Sequence, residues 1–532
     1  MSARDGADFD VAVVGAGFAG LYMLYRLRAM GFSVRVLEQG HGVGGTWYWN
    51  RYPGARCDVE SLEYSYQFSP ELQQEWHWSE RYAAQPELLR YAEHVAERFD
   101  LSRDIVLNTR VAALTFDDAG NRWRIETADG AQLSATHVVM ATGCLSVPNK
   151  PKFAGMETFA GRSYHTGTWP HETVDFTGQR VGMIGTGSSA VQSIPIIATQ
   201  AKHLTVFQRT PSYAIPARNA PLDREVERAV KADYAGFRAL SKTRRNGLHC
   251  ATSEIYATTA SDAERKRTYQ VKWDRGGLCY TGSFMDILLD KNANDTAAEF
   301  VRERIRRMVH DPATAELLCP QTVLGCKRLC IDTGYYETFN RENVKLVDVR
   351  NAPIDAITPQ GLIAGGKAYD FDSLIYATGF DAMTGALTAV DIQGAGGARL
   401  RDTWAEGPRT YLGLSVAGFP NLFAITGPGS PSVLTNMLPT IEQHVEWIAD
   451  CLAFLRTRGF DRIEATPEAE AAWVAHVNEI ADRTLFPTCN SWYLGANVPG
   501  KPRVFMPYIG FPPYVAKCNE VTANGYEGFA LS

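Results

Sequence analysis

Two stretches of this chain share one grammar, and they constrain its fold more than any other feature. One runs from Asp10 to Glu38, DVAVVGAGFAGLYMLYRLRAMGFSVRVLE, and the other from Gln179 to Arg209, QRVGMIGTGSSAVQSIPIIATQAKHLTVFQR. In each, a β-branched run breaks into a glycine turn, a helical stretch follows, and a second β-branched run closes. That order predicts a βαβ unit, with parallel strands under a crossover helix. Each unit is followed well downstream by a strand pattern ending in the same three residues: Ala141, Thr142 and Gly143 in the first case, Ala377, Thr378 and Gly379 in the second.

The turns themselves point to dinucleotides. In the first, Gly15, Gly17 and Gly20 allow a tight turn, close approach of a pyrophosphate, and close packing of helix on strand. Glu38 lies 23 residues past Gly15, where an acid accepts hydrogen bonds from ribose hydroxyls. In the second turn, Gly185 and Gly187 lead into Ser188 and Ser189, and Ala190 replaces the last glycine. Arg209 stands 24 residues past Gly185, where a guanidinium binds a 2′-phosphate with two hydrogen bonds and Thr210 can add a hydroxyl. The competing reading of Arg209 is a solvated charge at a strand end. An acid in one unit and an arginine in the other imply FAD in the first and NADPH in the second, with hydride transfer between them as the minimum chemistry.

The fold class expected is α/β, with two nested dinucleotide-binding (Rossmann-like) domains and a helical insert. Residues 1–144 and 381–532 would form the FAD-binding domain, and 145–215 with 325–380 the NADP-binding domain. Residues 216–324, rich in stretches such as AAEFVRERIRRMVHD, would form the insert. Beyond Asp381 the chain shows no dinucleotide motif, so NLFAITGPGSPSVLTNM and the helical IEQHVEWIADCLAFL are expected to complete the first domain. A length of 532 residues agrees, since domains average roughly 150 residues.

Charge and cysteine usage exclude several classes. With 53 Lys and Arg against 59 Asp and Glu, the net charge of −6 rules out a general nucleic-acid binder. No apolar run approaches the roughly 18 residues of a membrane span, and the opening MSARDGADFD is acidic where a signal peptide is basic. Ten cysteines without a CxxC pair read as ordinary reduced thiols of a cytoplasmic protein, with no disulfide framework. Cys326 and Cys330 have no neighbouring ligand set, so no metal is expected.

Two longer motifs name a family. FAGRSYHTGTWP carries Phe159, Gly161, His165, Trp169 and Pro170, and resembles the fingerprint FxGxxxHxxxWP of type I Baeyer–Villiger monooxygenases. GGTWYWNRYPGARCD carries Gly44, Gly45, Trp47, Tyr52, Pro53, Gly54 and Asp58, and resembles a second fingerprint of that family, GGxWxxxxYPGxxxD. With EGPRTYLGLS and WYLGANVPGKPRVF, the chain looks most like the phenylacetone monooxygenase branch. The resemblance implies insertion of one oxygen atom of dioxygen beside a ketone carbonyl, through a flavin peroxide, to give an ester or lactone, with NADPH as reductant.

It also implies roles. Arg328, in GCKRLC, would be the fixed cation beside the anionic species, since a guanidinium does not readily surrender its proton. Asp58 would orient it, and Lys327 would join Arg209 at the 2′-phosphate. Thr46 and Trp47 would border the flavin and Trp492 the nicotinamide nucleotide. Ser430, Pro431 and Leu434 would border the substrate pocket. His165, in the connection between domains, reads as a hinge residue rather than a proton donor. Against these stand plainer readings: a structural Arg328–Asp58 bridge, an exposed Lys327, a core-packing Trp492. The partners are a small-molecule ketone and dioxygen, with no nucleic acid or membrane; the oligomeric state is left open, a monomer being compatible with the sequence. The alternative chemistry is a flavin monooxygenase acting on amine or sulfide heteroatoms, whose linking fingerprint lacks the Trp169-Pro170 ending. A flavin disulfide reductase would need a redox cysteine pair beside a glycine turn, and the sequence has none there.

Overall fold

In the computed structural model, which describes residues 7–532, both glycine turns lie where a parallel strand meets a helix. The first six residues, part of the acidic opening stretch, lie outside the described residues. The Phe9–Val14 strand leads to the Phe18–Ala29 helix and then to the Val34–Leu37 strand, paired in parallel from Val11↔Val34 to Val14↔Leu37. Gln132–Met140 lies on the other flank of the first strand, also parallel, and ends just before Ala141. Val11 to Val14 are all buried, as expected of a strand covered on both faces.

The rest of this eight-stranded sheet is drawn from both ends of the chain. Two antiparallel strands, Val111–Asp117 and Arg122–Thr127, extend it beside Gln132–Met140. From beyond Asp381, Asp391–Gln393 pairs with the first of these, and Leu422–Ala424 pairs in parallel with Gln132–Met140. The long Met437–Arg458 helix packs against Phe18–Ala29, so the two ends share one core.

The second sheet is parallel throughout, in the order Val344–Asp348, His203–Gln208, Arg180–Ile184, Ser373–Tyr376, Arg162–His165. Between its Val344–Asp348 and Ser373–Tyr376 strands stands an antiparallel three-stranded meander, Ile354–Thr358, Gly361–Ala364 and Lys367–Asp370, which the sequence reading did not single out. Five α-helices lie between Arg224 and Leu318: Arg224–Ala232, Tyr234–Lys242, Asp262–Arg275, Lys291–Met308 and Pro312–Leu318. Each starts at an Asp or Ser whose side chain accepts a backbone N–H of the first turn: Asp223, Asp233, Ser261, Asp290 and Asp311. Such caps contribute about 1 kcal/mol each, which matters for helices with few apolar residues.

The cysteine expectation needs correction. Cys326 is disulfide-bonded to Cys489 and Cys250 to Cys279, with Cα atoms 5.7 and 5.6 Å apart, while Cys57, Cys144, Cys319, Cys330, Cys451 and Cys518 are free and buried. The bonded partners are 163 and 29 residues apart in sequence, a separation at which spacing carries no signal. Among the described residues no helix is long and apolar enough to cross a membrane.

Candidate active site

Each glycine turn is pressed against the Ala-Thr-Gly strand end of its own sheet. Gly15 has φ +105° and Gly185 φ +114°, and a Cβ on either would stand 2.7 Å from the Ala141 carbonyl oxygen or 2.4 Å from that of Ala377. Only glycine combines that positive φ with so close a backbone approach. The strand ends that recur in the sequence are therefore the floors under the two turns.

Around the first turn, Gly44 N donates to the Ala16 carbonyl at 3.0 Å, and a Cβ at Gly45 would lie 2.8 Å from Gly17 Cα. Thr46, exposed, opens the short Thr46–Trp49 helix at this junction, and Trp47 is buried with its indole N–H on the Tyr64 hydroxyl at 3.3 Å. Glu38 is buried and accepts Ala16 N–H at 2.7 Å and Gly40 N–H at 2.8 Å. Burial raises its carboxyl above the usual carboxylate range, and the two N–H donors oppose that rise.

Around the second turn, Gly187 and Ser188 are exposed at the start of the Ser188–Gln200 helix, and a Cβ at Gly187 would meet nothing within 4 Å. Ser189 follows in the same turn. Thr186 donates its hydroxyl to the Thr210 carbonyl at 3.1 Å, joining the turn to the strand end that carries Arg209. Burial, and then the Arg209 charge, lower the Lys327 ammonium below the usual lysine range. Neither cation has an acidic partner among the described residues. Two unneutralised cations converging beside an open helix N-terminus suit a phosphate. The first turn, with its buried ribose-height acid, suits a flavin dinucleotide, so the residues present fit both cofactors.

Between the turns lies one charged pair. The guanidinium of Arg328 holds Asp58 through both nitrogens that face it, with Nε on Oδ2 and Nη2 on Oδ1 at 3.0 Å. Nη1 donates to the carbonyls of Val433 at 2.8 Å and Thr435 at 3.3 Å. Burial works against the charge, and Asp58 outweighs it, so the guanidinium is held above its ordinary range. The two side chains keep 21% and 22% of their exposure, so the pair is fixed yet reachable.

Residues 12–238 match a family model described as pyridine nucleotide-disulphide oxidoreductase. A Baeyer–Villiger monooxygenase of Pseudooceanicola batsensis is 44% identical over 98% of this chain and 96% of its own length. The chain is a Baeyer–Villiger monooxygenase. A solved structure of an oxidised steroid monooxygenase bound to NADP is 53% identical, with a TM-score of 0.94 over 98% of this chain and 99% of its own. A phenazine N-monooxygenase of Lysobacter antibioticus is 41% identical over 100% of this chain and 98% of its own length. The expected fold class, two Rossmann-like units in an α/β chain, holds. This Baeyer–Villiger monooxygenase inserts oxygen beside a ketone carbonyl to give an ester or lactone, using FAD and NADPH.

The linking fingerprint of the monooxygenase sits at the junction of its units. His165 Nδ1 accepts Gly167 N–H at 3.0 Å, and Nε2 faces the Thr378 hydroxyl at 3.1 Å. That hydroxyl donates onward to the Asn149 carbonyl at 2.6 Å, so Nε2 must carry the ring proton. Burial lowers the imidazole below its usual range, and the ring stays neutral and pinned. Phe159 is half-buried, a Cβ on Gly161 would lie 2.5 Å from the Asp372 carbonyl, and Trp169, followed by half-buried Pro170, stacks on Tyr164 at 5.2 Å.

The other candidates divide. Ser430 is buried with its hydroxyl on the Gly427 carbonyl at 2.7 Å, and Pro431 is buried too, which leaves Leu434 as the accessible member of that trio. Trp492 is half-buried against Tyr493, with ring centroids 4.2 Å apart. Tyr493 itself, which the motifs did not mark, places its phenol where both the backbone and the guanidinium of Arg328 act on it. Val433 and Thr435 were equally unmarked, because a carbonyl acceptor leaves no signature in residue type.

Proposed function

We propose that Arg328, oriented by Asp58, is the catalytic cation of this monooxygenase. The observation that carries the reading is the two-pronged grip of Asp58 on a guanidinium whose third nitrogen is tied to the 433–435 turn. Four bonds hold the side chain in one position, so its charge is organised before substrate arrives. Bound FAD supplies the hydride acceptor and activates dioxygen, and NADPH supplies the hydride. The work of the chain is to keep a permanent positive charge where negative charge builds on the attacked carbonyl oxygen, and to give no proton to that site.

In the same reading, Arg209, Lys327 and Thr210 hold the NADPH 2′-phosphate, and Gly185, Gly187, Ser188 and Ser189 its pyrophosphate. Gly15, Gly17, Gly20, Glu38, Thr46 and Trp47 hold FAD. His165 acts at the hinge through Thr378, Trp492 borders the nicotinamide nucleotide, and Leu434 borders the ketone. Residues 1–144 and 381–532 then act as the flavin unit, 145–215 and 325–380 as the nucleotide unit, and 216–324 as the insert.

Arg328→Ala should leave reduction of the flavin by NADPH measurable while ester formation from a ketone falls about 100-fold or more. Ester formation at the wild-type rate would remove Arg328 from the chemistry. The phenazine N-monooxygenase relative favours a second reading, oxygenation of an aromatic nitrogen. Assaying a ketone panel beside phenazine-type amines separates the two: N-oxide without ester would establish the second.

A further inference from the structure

Between the Pro467–Asp482 and Phe511–Ala523 helices the chain has no strand and no α-helix, only the single turns Phe486–Thr488 and Trp492–Leu494. This strap crosses both connections between the two units. The Asn497 carbonyl accepts the Asn149 side-chain amide at 2.9 Å, and the Asn497 side chain donates to the Phe380 carbonyl at 2.6 Å. Lys501 donates to Asp381 at 2.5 Å and to the Ala382 carbonyl at 2.7 Å. The connections themselves are zipped together, with Asn149 N–H on the Gly379 carbonyl at 2.9 Å and Asp381 N–H on that of Val147 at 2.8 Å. One segment thus touches both connections on which the two sheets could move relative to one another.

The strap is also tied to the catalytic loop. Cys489, near its start, is bonded to Cys326, whose chain neighbour is Lys327 and whose next neighbour is Arg328. Four residues past Cys489, the Tyr493 phenol rests on Arg328. The second pair, Cys250 and Cys279, joins two points inside the insert and spans no such junction. Cys326 and Cys489 are 5% and 8% exposed, so a large oxidant is shut out while a water-sized one could enter.

We propose that Cys326 and Cys489 form a reversible latch, closed by hydrogen peroxide and opened by a thiol reductant, that holds the strap down on Lys327 and Arg328 and slows release of the nicotinamide nucleotide. The assignment rests on the reading of Lys327 and Arg328 given above. The oxidant comes from the enzyme's own reactants, since NADPH, a proton and dioxygen without ketone yield NADP+ and hydrogen peroxide. One cysteine thiolate attacks a peroxide oxygen; the O–O bond breaks, hydroxide leaves, and a sulfenic acid forms. The second thiol attacks that sulfur; the S–O bond breaks, water leaves, and the disulfide forms. Two sulfurs lose one electron each, and both peroxide oxygens end as water after protonation of the hydroxide. The latch therefore closes when NADPH is being spent without ketone, and turnover slows.

The test uses full-length holoenzyme, reduced with a phosphine, treated with hydrogen peroxide, and quenched with catalase. Non-reducing peptide mapping should show Cys326 linked to Cys489. The NADP+ dissociation constant and kcat for ester should each fall about five-fold or more, with the rate of flavin reduction by NADPH nearly unchanged. Phosphine should reverse all of this. Cys489→Ser should turn over as reduced wild type and ignore peroxide, and Cys489→Ala gives the same comparison should the serine variant fold poorly. Cys250→Ser should respond to peroxide as wild type does. Absence of the linked peptide, or an equal peroxide response in the Cys489 variants, overturns the proposal. The linked peptide and the NADP+ affinity do not depend on ester formation, so they report on the latch even where the role of Arg328 fails.

Discussion

The first residues of the two glycine turns are alike in geometry: Gly15 backs onto the Ala141 carbonyl and Gly185 onto that of Ala377, at similar positive φ. At the sixth position the turns part. A Cβ on Gly20 would lie 1.9 Å from the Gly15 carbonyl oxygen, whereas the second turn carries a real methyl there on fully buried Ala190. They part again at the end of the second strand. Glu38 is already hydrogen-bonded by two backbone N–H groups, but Arg209 and Lys327 feel one another's charge and have no acidic side chain as partner among the described residues. The first site is closed and largely satisfied before its ligand binds, as suits a resident cofactor. The second brings like charges together, an arrangement that a phosphate neutralises, as suits a nucleotide that comes and goes.

The largest expected effect comes from forcing the first turn to resemble the second. Gly20→Ala should cost about 3 kcal/mol or more and yield colourless protein without bound flavin, because the clash is with backbone that cannot move aside. Flavin retained at wild-type affinity would show that the two turns are equivalent after all. Next in size, Arg209→Ala should raise KM for NADPH about 10- to 100-fold and leave KM for NADH nearly unchanged, measured by steady-state oxidation of each. An equal rise for both nucleotides would mean that Arg209 does not read the 2′-phosphate. The smallest effect is the reverse exchange. Ala190→Gly should lower stability by about 0.5–1 kcal/mol in thermal unfolding, through helix entropy, with nucleotide KM values unaltered.

Much of the fold was legible because its signals are local. The strand, turn, helix and strand of each unit are consecutive, and the insert's helices announce themselves in runs such as AAEFVRERIRRMVHD. The antiparallel meander between Ile354 and Asp370 escaped notice because its short strands, punctuated by Pro359, Gly361, Gly365 and Gly366, lie inside a region already claimed by the parallel pattern. Of the site, the sequence pointed to side chains that the structure sets beside one another, Arg328 with Asp58 and Arg209 with Lys327, because a charged side chain is visible as a residue type. The site was not legible where a backbone carbonyl or a distant ring does the work, as with Val433, Thr435 and Tyr493.

The cysteines show where that boundary runs. Their number and the lack of a close pair argued for separate thiols, and six of the ten are free. Cys326 meets Cys489 only because the strap returns across the junction of two sheets to the loop that bears Arg328. By itself the sequence determined the two glycine turns and the family, since those depend on residues adjacent in the chain or in a gapless motif. The tertiary structure alone decided which carbonyls grip the guanidinium, which proton His165 keeps, and that Cys326 meets Cys489. Each of these depends on the distance between segments more than a hundred residues apart, set by how the two sheets pack and not by any one segment's composition.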